Sequence, residues 1–251
     1  MFQCFHASPP RGFAHALGFW ALVVALPGGC TALALGFGMP SHPASRMPAA
    51  AEFCSRRNLE LAALGTTATL LAFEHENPDR IQNALEHAPA EAGSDWGNIY
   101  GNGMFLGAGA AALWTAGRWT GNVNAMDAAG DLGIALALDG AIVLGLKTSI
   151  RRTRPNGGPY SFPSGHTSSA FTVAPILEQR FGWKVGAPAY LFAVMTGLGR
   201  MEDRKHFASD VLAGAMLGLI VGETFAHHAK GSSLPQHFYT GTQGLGLRFY
   251  F

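Results

Sequence analysis

The chain has 251 residues, of which 48% are hydrophobic and only 13% are charged, with 17 basic and 16 acidic side chains. This length fits one large domain or two small ones. The near balance of charge excludes the strong basic excess of nucleic-acid-binding proteins, so we expect no nucleic-acid partner. Three cysteines, two of them within the first 30 residues, are too few for a disulfide framework.

The N-terminal segment is typical of an exported protein. Arg11 precedes the apolar run Ala16–Leu26, which is followed by a proline and two glycines. This order describes a secretory leader, and an uncleaved membrane anchor is the alternative. Residues 36–51 are rich in Pro, Ser and Ala, as in a linker. We predict that residues 1–51 form an export leader or anchor plus linker, which directs the protein to the periplasm or cell membrane of a bacterium. The sequence leaves lipidation of Cys30 open.

Residues 52–231 contain long apolar stretches separated by short polar breaks. The stretches lack two-residue alternation and are too long for typical strands, so they indicate helices. Several are apolar on nearly all sides, which implies burial in a bundle or a bilayer. We expect an all-α fold, a bundle of about six core helices, over residues 52–231. The predicted helices cover 59–73, 103–117, 132–146, 167–180, 186–199 and 211–222.

Membrane association is favoured by the glycine pattern and opposed by helix length. A spanning helix needs about 20 apolar residues, and the uninterrupted runs are 12 to 15 long, with Asp139 interrupting one of them. Glycine at every fourth position allows the close helix contacts favoured in membrane bundles. We favour a membrane-associated or periplasmic bundle with few true spans. The glycines are Gly214, Gly218 and Gly222 in one stretch and Gly103 and Gly107 in another.

The C-terminal tail, residues 232–251, breaks the helical pattern. Alternating apolar residues from Leu245 to Phe251 resemble the last strand of an outer-membrane barrel. A barrel needs many strands, however, and only one is visible. We therefore expect an extended tail that lies on the bundle.

The first of three polar clusters lies in Lys147–Pro155 and holds four cations directly after an apolar helix. Positive charge suits a helix C-terminus or a membrane flank. Arg154 also offers a planar fork for phosphate oxygens, and Lys147 offers a point charge. Arg151 and Arg152 either hold anionic head groups or face solvent.

The second cluster is Pro163-Ser164-Gly165-His166. Ser164 is a good N-cap, so a helix is expected to start directly after it. Free N–H groups at Gly165 and beyond could then bind an anion, with His166 at the rim. An ordinary capped helix with a surface histidine is the alternative.

The third cluster, Gly199–Asp210, contains a cation and a histidine–carboxylate pair. Arg200 ends one predicted helix and His206 starts the next. Asp210 is four residues further on and so shares a helix face with His206. The carboxylate could fix the tautomer of the imidazole and leave its other nitrogen free to attack. A surface pair is the alternative.

In this order the three clusters resemble the signature of the type 2 phosphatidic acid phosphatase superfamily, which includes bacterial acid phosphatases and vanadium haloperoxidases. Gly199 stands where the family usually has serine. Only seven residues separate Pro155 from Pro163, which argues against the large haloperoxidases. The matching residues are Lys147, Arg154 and Pro155, then Pro163, Ser164, Gly165 and His166, then Arg200, His206 and Asp210.

This resemblance implies a metal-independent phosphatase without a cofactor that forms a phosphohistidine. It assigns His206 as the nucleophile, His166 as the general acid and Asp210 as the partner of His206. The apolar helices and leader favour a lipid-linked phosphomonoester or pyrophosphate such as phosphatidic acid, a polyprenyl pyrophosphate or a lipid A phosphate; a soluble phosphate ester is also open. The alternatives are a vanadate-dependent haloperoxidase and a non-catalytic envelope protein that binds phosphorylated lipid. The implied phosphate ligands are Lys147, Arg154, Ser164, Gly165 and Arg200.

Two further groups of residues each have two possible interpretations. Glu74, His75 and Glu76 could suggest a metal site, but consecutive residues do not share a helix face, so we expect a solvated helix end. Trp96, Tyr100 and Met104 form either an apolar lip for a lipid tail or part of the core, and we expect core packing.

Overall fold

The fold is described from a computed structural model, in which residues 47–77, 99–232, 239–241 and 244–246 are described. Six of the helices in these ranges have 17 or more residues, and each contains one predicted helical stretch. The predicted all-α bundle of about six core helices is therefore confirmed. The elements are α1 (Ala50–Phe53), α2 (Arg56–His75), α3 (Gly103–Thr120), α4 (Val123–Ile150), α5 (Gly165–Phe181), α6 (Trp183–Glu202), α7 (Ala208–Ser232), β1 (Tyr239–Gly241) and β2 (Gly244–Gly246).

Short polar side chains begin several of these helices. The Ser55 hydroxyl accepts the Asn58 N–H at the start of α2, and the Asn102 side chain accepts the Met104 N–H at 2.9 Å at the start of α3. Gly121 ends α3 with φ 71°, a left-handed conformation that glycine adopts without steric cost. Such caps satisfy backbone groups that have no partner within the helix.

Helix α5 lies at the centre of the bundle. It packs against α4, α6 and α7, while α2 packs on α7 and α3 packs on α4. Burial of aliphatic and aromatic side chains at these contacts supplies the main stabilising free energy of the bundle. The core includes Leu106, Ala110, Leu132, Ala135, Val143, Leu146, Val173, Ile176, Leu217, Val221 and Phe225.

The glycine stripe of α7 brings its backbone against that of α5. A Cβ atom at Gly214 would overlap the carbonyl oxygen of Ser164, and one at Gly218 would overlap that of Ser168. The predicted close contact is confirmed for this stripe. For the second pair it is wrong, because a Cβ at Gly107 would meet nothing within 4 Å.

Two helical segments in the described part of the chain are long and apolar enough to cross a membrane. They are Val123–Ile150 and Ala208–Ala229, with mean hydropathies of 1.7 and 1.4. The uninterrupted apolar runs in the sequence are shorter than these helices. In α4 the reason is Asp139, which interrupts the apolar run while the helix continues through it. That carboxylate is fully buried and accepts hydrogen bonds from the hydroxyls of Ser168 and Ser169.

The two strands pair antiparallel in the C-terminal tail, with Thr240 opposite Leu245. Packing of the tail against the bundle stays a prediction. The proposed leader, Cys30 and Trp96 lie outside the described residues.

Candidate active site

Three loop segments meet at the end of the bundle where α4 ends and α5 and α7 begin. Backbone hydrogen bonds connect them, so the three sequence clusters share one region although up to 63 positions separate their residues. These bonds run from the Ser161 N–H to the Arg152 carbonyl (2.7 Å), from Ser164 to Asp210 (2.9 Å) and from Asn156 to Arg204 (3.0 Å).

His206 lies in the turn that precedes α7, and not in the first turn of the helix as the sequence suggested. Its N–H donates to the Arg200 carbonyl at 3.1 Å, which ties the turn to the end of α6. The ring is buried, and its Nδ1 lies 3.7 Å from Oδ2 of Asp210, longer than a hydrogen bond. Such contacts in unliganded sites often shorten when substrate binds.

Asp210 is fully buried and is held by three other groups. Oδ2 accepts the Phe207 backbone N–H at 2.8 Å and the hydroxyl of Ser161. Oδ1 accepts Nη1 of Arg152 at 2.8 Å. Since a buried carboxylate needs such partners, Asp210 is kept charged beside His206.

His166 lies in the first turn of α5. Burial, followed by the positive charges of Arg200, His206, Lys205 and Lys147, lowers the pKa of His166 to about 4. The imidazole is therefore neutral at neutral pH while no anion is bound. Lys147 and Arg200 also lower the pKa of His206.

Burial lowers the pKa of His206 as well, and the charges of Lys147 and Arg200 act in the same direction, while Asp210 opposes them. A neutral imidazole has a free lone pair, which a nucleophile needs. With Nδ1 directed at Asp210, the lone pair available for attack is that of Nε2.

Lys147, Arg154 and Arg200 bring three cations to this region. The Lys147 ammonium donates a hydrogen bond to the Tyr160 carbonyl at 2.8 Å and is repelled by the charges of Arg154 and Arg200. Nε of Arg154 is buried without an acceptor in the described part of the chain. Repulsion between the cations is relieved by an anion, so the charges and the available donor fit a phosphate group.

Ser164 and Gly165 form the start of α5, as predicted. Ser164 occupies the N-cap position, but its hydroxyl pairs with the Thr167 hydroxyl at 2.8 Å instead of capping a backbone N–H. At Gly165 a Cβ atom would lie 3.2 Å from Val143 and 3.8 Å from Cε of Lys147. The first N–H groups of α5 have no acceptor within the helix. Because the Gly165 backbone lies close to the Lys147 side chain, these N–H groups and the Lys147 ammonium can bind the same anion.

A group of side chains behind Asp210 differs from the prediction. The sequence leaves two possible roles for Arg152 and predicts a solvated Glu76. Instead, Arg152 binds Asp210, Ser209 and Glu76, and the Glu76 side chain is only 9% exposed. The cationic cluster pointed to Arg152, but no local pattern connects it with Glu76, 76 positions earlier.

The expected core packing of the segment before α3 holds only in part. Tyr100 stacks on Phe192 with ring centroids 5.3 Å apart, and Gly101 packs against His166, where a Cβ would lie 2.9 Å from its carbonyl oxygen. Met104 is 82% exposed, so it is not a core residue.

The site motifs lie within a stretch that matches a known family. The model of the PAP2 superfamily matches residues 128–230, which run from α4 to near the end of α7. Residues 128–230 of this chain are therefore similar to the PAP2 superfamily, in agreement with the resemblance of the three clusters.

Curated relatives match this region in part. The chain is 39% identical over 94 residues to a lipid A 1-phosphatase from Porphyromonas gingivalis, across 36% of this chain and 21% of that protein. It is 34% identical over 92 residues to phosphatidylglycerophosphatase B from Bacillus subtilis, across 30% of this chain and 45% of that protein. The matches thus span about a fifth and less than half of these two relatives.

A solved structure supports the fold. The crystal structure of a transmembrane PAP2-type phosphatidylglycerolphosphate phosphatase from Bacillus subtilis matches with a TM-score of 0.59 and 20% identity, over 72% of this chain and 99% of that chain. The chain thus shares the helical fold of that structure.

Proposed function

We propose that the protein is a metal-independent phosphatase that hydrolyses a phosphomonoester or pyrophosphate through a phosphohistidine. The observation that carries this proposal is the convergence of the segments that hold the two histidines and three cations at the start of α5. Charge in the transition state of phosphoryl transfer spreads over the non-attacking oxygens, and fixed cations and N–H groups stabilise it.

In the first step, Nε2 of His206 attacks phosphorus and the bond to the leaving oxygen breaks. His166 gives that oxygen a proton. Asp210 stabilises the positive charge that develops on the ring of His206. In the second step, His166 takes a proton from water, the water oxygen bonds to phosphorus, and phosphate leaves with His206 restored.

Lys147, Arg154 and Arg200, with the Ser164 hydroxyl and the Gly165 N–H, hold the phosphate oxygens in this scheme. The bound phosphate also prepares His166 to act as the general acid. The negative charge of the phosphate opposes the cations that lower the pKa of His166, so this pKa rises and the ring gains a proton when substrate binds.

A lipid-linked substrate is supported by the surface of the helices and by the names of relatives. Leu64 on α2, Met104 on α3 and Leu191 on α6 are 71%, 82% and 60% exposed, which suits contact with lipid. The curated relatives are named for lipid A and phosphatidylglycerophosphate. We propose the same substrate class, at the periplasmic side of a bacterial cell membrane.

In this proposal residues 52–231 form the catalytic domain. Residues 1–51 supply the export leader or anchor and the linker, and residues 232–251 form an extended tail.

Phosphate release by the purified full-length chain tests the function. Substrates are phosphatidic acid, phosphatidylglycerophosphate, lipid A, a polyprenyl pyrophosphate and p-nitrophenyl phosphate, each with EDTA present. His206→Ala should lose several powers of ten in kcat, as removal of a nucleophile usually does. The matched control is His227→Ala, because that histidine is 57% exposed and lies far along α7, about 30 Å away by helix rise.

Near-normal activity of a folded His206→Ala variant would overturn the assignment. Acid-labile, alkali-stable label on the wild-type protein after reaction with a ³²P-labelled substrate is the expected mark of phosphohistidine. Vanadate should inhibit the reaction. Vanadate-dependent halide oxidation would instead indicate a haloperoxidase, and lipid binding without phosphate release would indicate a non-catalytic envelope protein.

A further inference from the structure

We infer that Glu76 and Arg152 form a positioning pair that sets the orientation of Asp210 toward His206. This inference rests on the proposed function, since it concerns how the nucleophile is prepared. Glu76 lies outside the three clusters, and Arg152 lies within the first cluster but is not one of the residues that match the family signature. Neither is placed in contact with the phosphate by the proposed mechanism.

Arg152 connects the carboxylate of the site to Glu76, the residue that directly follows α2. Its Nη1 donates to Oδ1 of Asp210 at 2.8 Å and to the Ser209 hydroxyl at 2.7 Å, and its Nη2 pairs with Oε1 of Glu76. The Ser209 hydroxyl donates in turn to Oε2 of Glu76 at 2.6 Å. Arg152, Ser209 and Glu76 therefore form a closed ring of hydrogen bonds behind Asp210.

Aromatic rings hold the guanidinium in one plane. Its central carbon lies 4.0 Å from the ring centroid of Phe207 and 4.9 Å from that of Phe73. The Arg152 side chain is 17% exposed and that of Glu76 is 9% exposed. A stacked arginine with fixed acceptors loses little further freedom when it binds a carboxylate, so its orientation is well defined.

The Asp210 carboxylate therefore has little freedom to rotate. Arg152 binds one oxygen of Asp210, and Ser161 with the Phe207 N–H binds the other. Oδ2 is thereby directed toward Nδ1 of His206. Loss of Arg152 would free Oδ1 and leave more negative charge on the carboxylate that faces the imidazole.

Glu76 balances the charge in this arrangement. Arg152 alone would neutralise Asp210, but Glu76 supplies a second carboxylate to the same guanidinium. Asp210 therefore keeps part of its negative charge for the imidazolium that forms during attack. This is why both members of the pair are needed.

The test compares Arg152→Gln with Arg151→Gln, the same change at the adjacent, exposed arginine. Arg152→Gln should lower kcat about tenfold to hundredfold, the range known for groups that orient a ligand or catalytic residue. KM should stay within about twofold, since Arg152 does not hold substrate. The kcat of Arg152→Lys should lie between those of wild type and Arg152→Gln, because lysine keeps the positive charge but lacks the planar, two-pronged guanidinium. Arg151→Gln should remain near wild type.

A double-variant cycle separates positioning from a general structural role. If Arg152 acts through Asp210, adding Arg152→Gln to Asp210→Asn should lower kcat little further. Additive losses, or equal losses in Arg151→Gln and Arg152→Gln, would overturn the inference. Glu76→Gln should lower kcat by a smaller factor than Arg152→Gln.

Titration of His206 by NMR of histidine-labelled protein gives a readout that needs no activity. The groups that face this ring are Asp210 on α7, Lys147 on α4, Arg200 on α6 and His166 on α5. Arg152→Gln should raise the pKa of His206 by about half a unit or more, because the charge on Asp210 is less neutralised.

The two proposals can thus fail separately. A wild-type protein without phosphatase activity, but with the shift in His206 titration, contradicts the proposed function and supports the pair. An active enzyme in which a folded Arg152→Gln variant changes neither kcat nor this titration contradicts the pair alone.

Discussion

The backbone N–H of Ser164 donates to the carbonyl of Asp210 at 2.9 Å. This bond joins the residue before α5 to the first turn of α7. It fixes His166, two residues after Ser164, relative to His206, four residues before Asp210. Two histidines 40 positions apart in the sequence are thereby brought to one region, where Lys147 and Arg200 lower the pKa of both.

The role of His166 as general acid predicts a dependence on the leaving group. His166→Ala should lower kcat far more for an alkyl phosphate such as phosphatidic acid than for p-nitrophenyl phosphate, because nitrophenolate leaves without a proton. We expect about a hundredfold loss for the alkyl ester, within the usual contribution of general acid catalysis. The measurement is kcat with both substrates under the same conditions.

Equal losses with the two substrates would argue that His166 holds phosphate instead of protonating the leaving group. Lys147→Ala serves as the control, since loss of a phosphate ligand should affect both substrates similarly.

Stability should fall as the pH is lowered from about 6.5 to about 4. The unfolded chain takes up a proton at His166 near its ordinary pKa of 6.5, whereas the folded site does so only near a pKa of about 4. The unfolded state therefore binds more protons in this window, so stability is retained above pH 6.5 and lost below it. The loss should be roughly 2 kcal/mol after allowance for partial exposure. Thermal unfolding in detergent at several pH values measures it.

His166→Gln should make stability less dependent on pH in this window. A variant as pH-sensitive as wild type would show that other groups cause the loss. His206 contributes in the same direction, because burial also lowers its pKa.

Asp139 should stabilise the contact between α4 and α5. Asp139→Ala removes the acceptor of the buried Ser168 hydroxyl and the partly buried Ser169 hydroxyl. We expect a loss of about 1–3 kcal/mol, the usual cost of leaving such groups unsatisfied. Asp139→Asn keeps one acceptor oxygen and should cost less. Unfolding midpoints of the three proteins provide the measurement, and equal midpoints would show that the hydroxyls find other partners.

Gly218 should tolerate no side chain, because a Cβ would overlap the Ser168 carbonyl oxygen on α5. Gly218→Ala should destabilise the protein by about 2 kcal/mol, as overpacking in a core does. Gly107→Ala is the matched control, since it also lies within a helix and a Cβ there meets open space. It should be neutral or stabilising by up to about 1 kcal/mol. The opposite order of the two unfolding midpoints would contradict the close α5–α7 contact.

Local patterns in the sequence predict the helices well. Each predicted stretch lies inside an observed helix because apolar periodicity reflects the burial that forms it. The Gly214–Gly222 stripe predicts a close contact for the same reason. The start of α5 after Ser164 follows from N-cap chemistry, although the hydroxyl of Ser164 bonds to Thr167.

Long-range contacts escape such patterns. The sequence predicts a solvated Glu76, but this residue binds Arg152 and Ser209 across the bundle. The sequence also predicts that His206 starts a helix, but His206 lies before α7, in a turn held by the Arg200 carbonyl. These arrangements depend on how α2, α4 and α6 end near the start of α7.

By itself, the sequence determined the helices, the similarity of residues 128–230 to the PAP2 superfamily and the residue types that suit phosphate chemistry, since these depend on neighbours along the chain. Only the tertiary structure decided which charges face each other and which carboxylate supports Arg152. The physical reason is that hydrogen bonds and electrostatic interactions act over a few ångströms in space, whatever the separation in sequence.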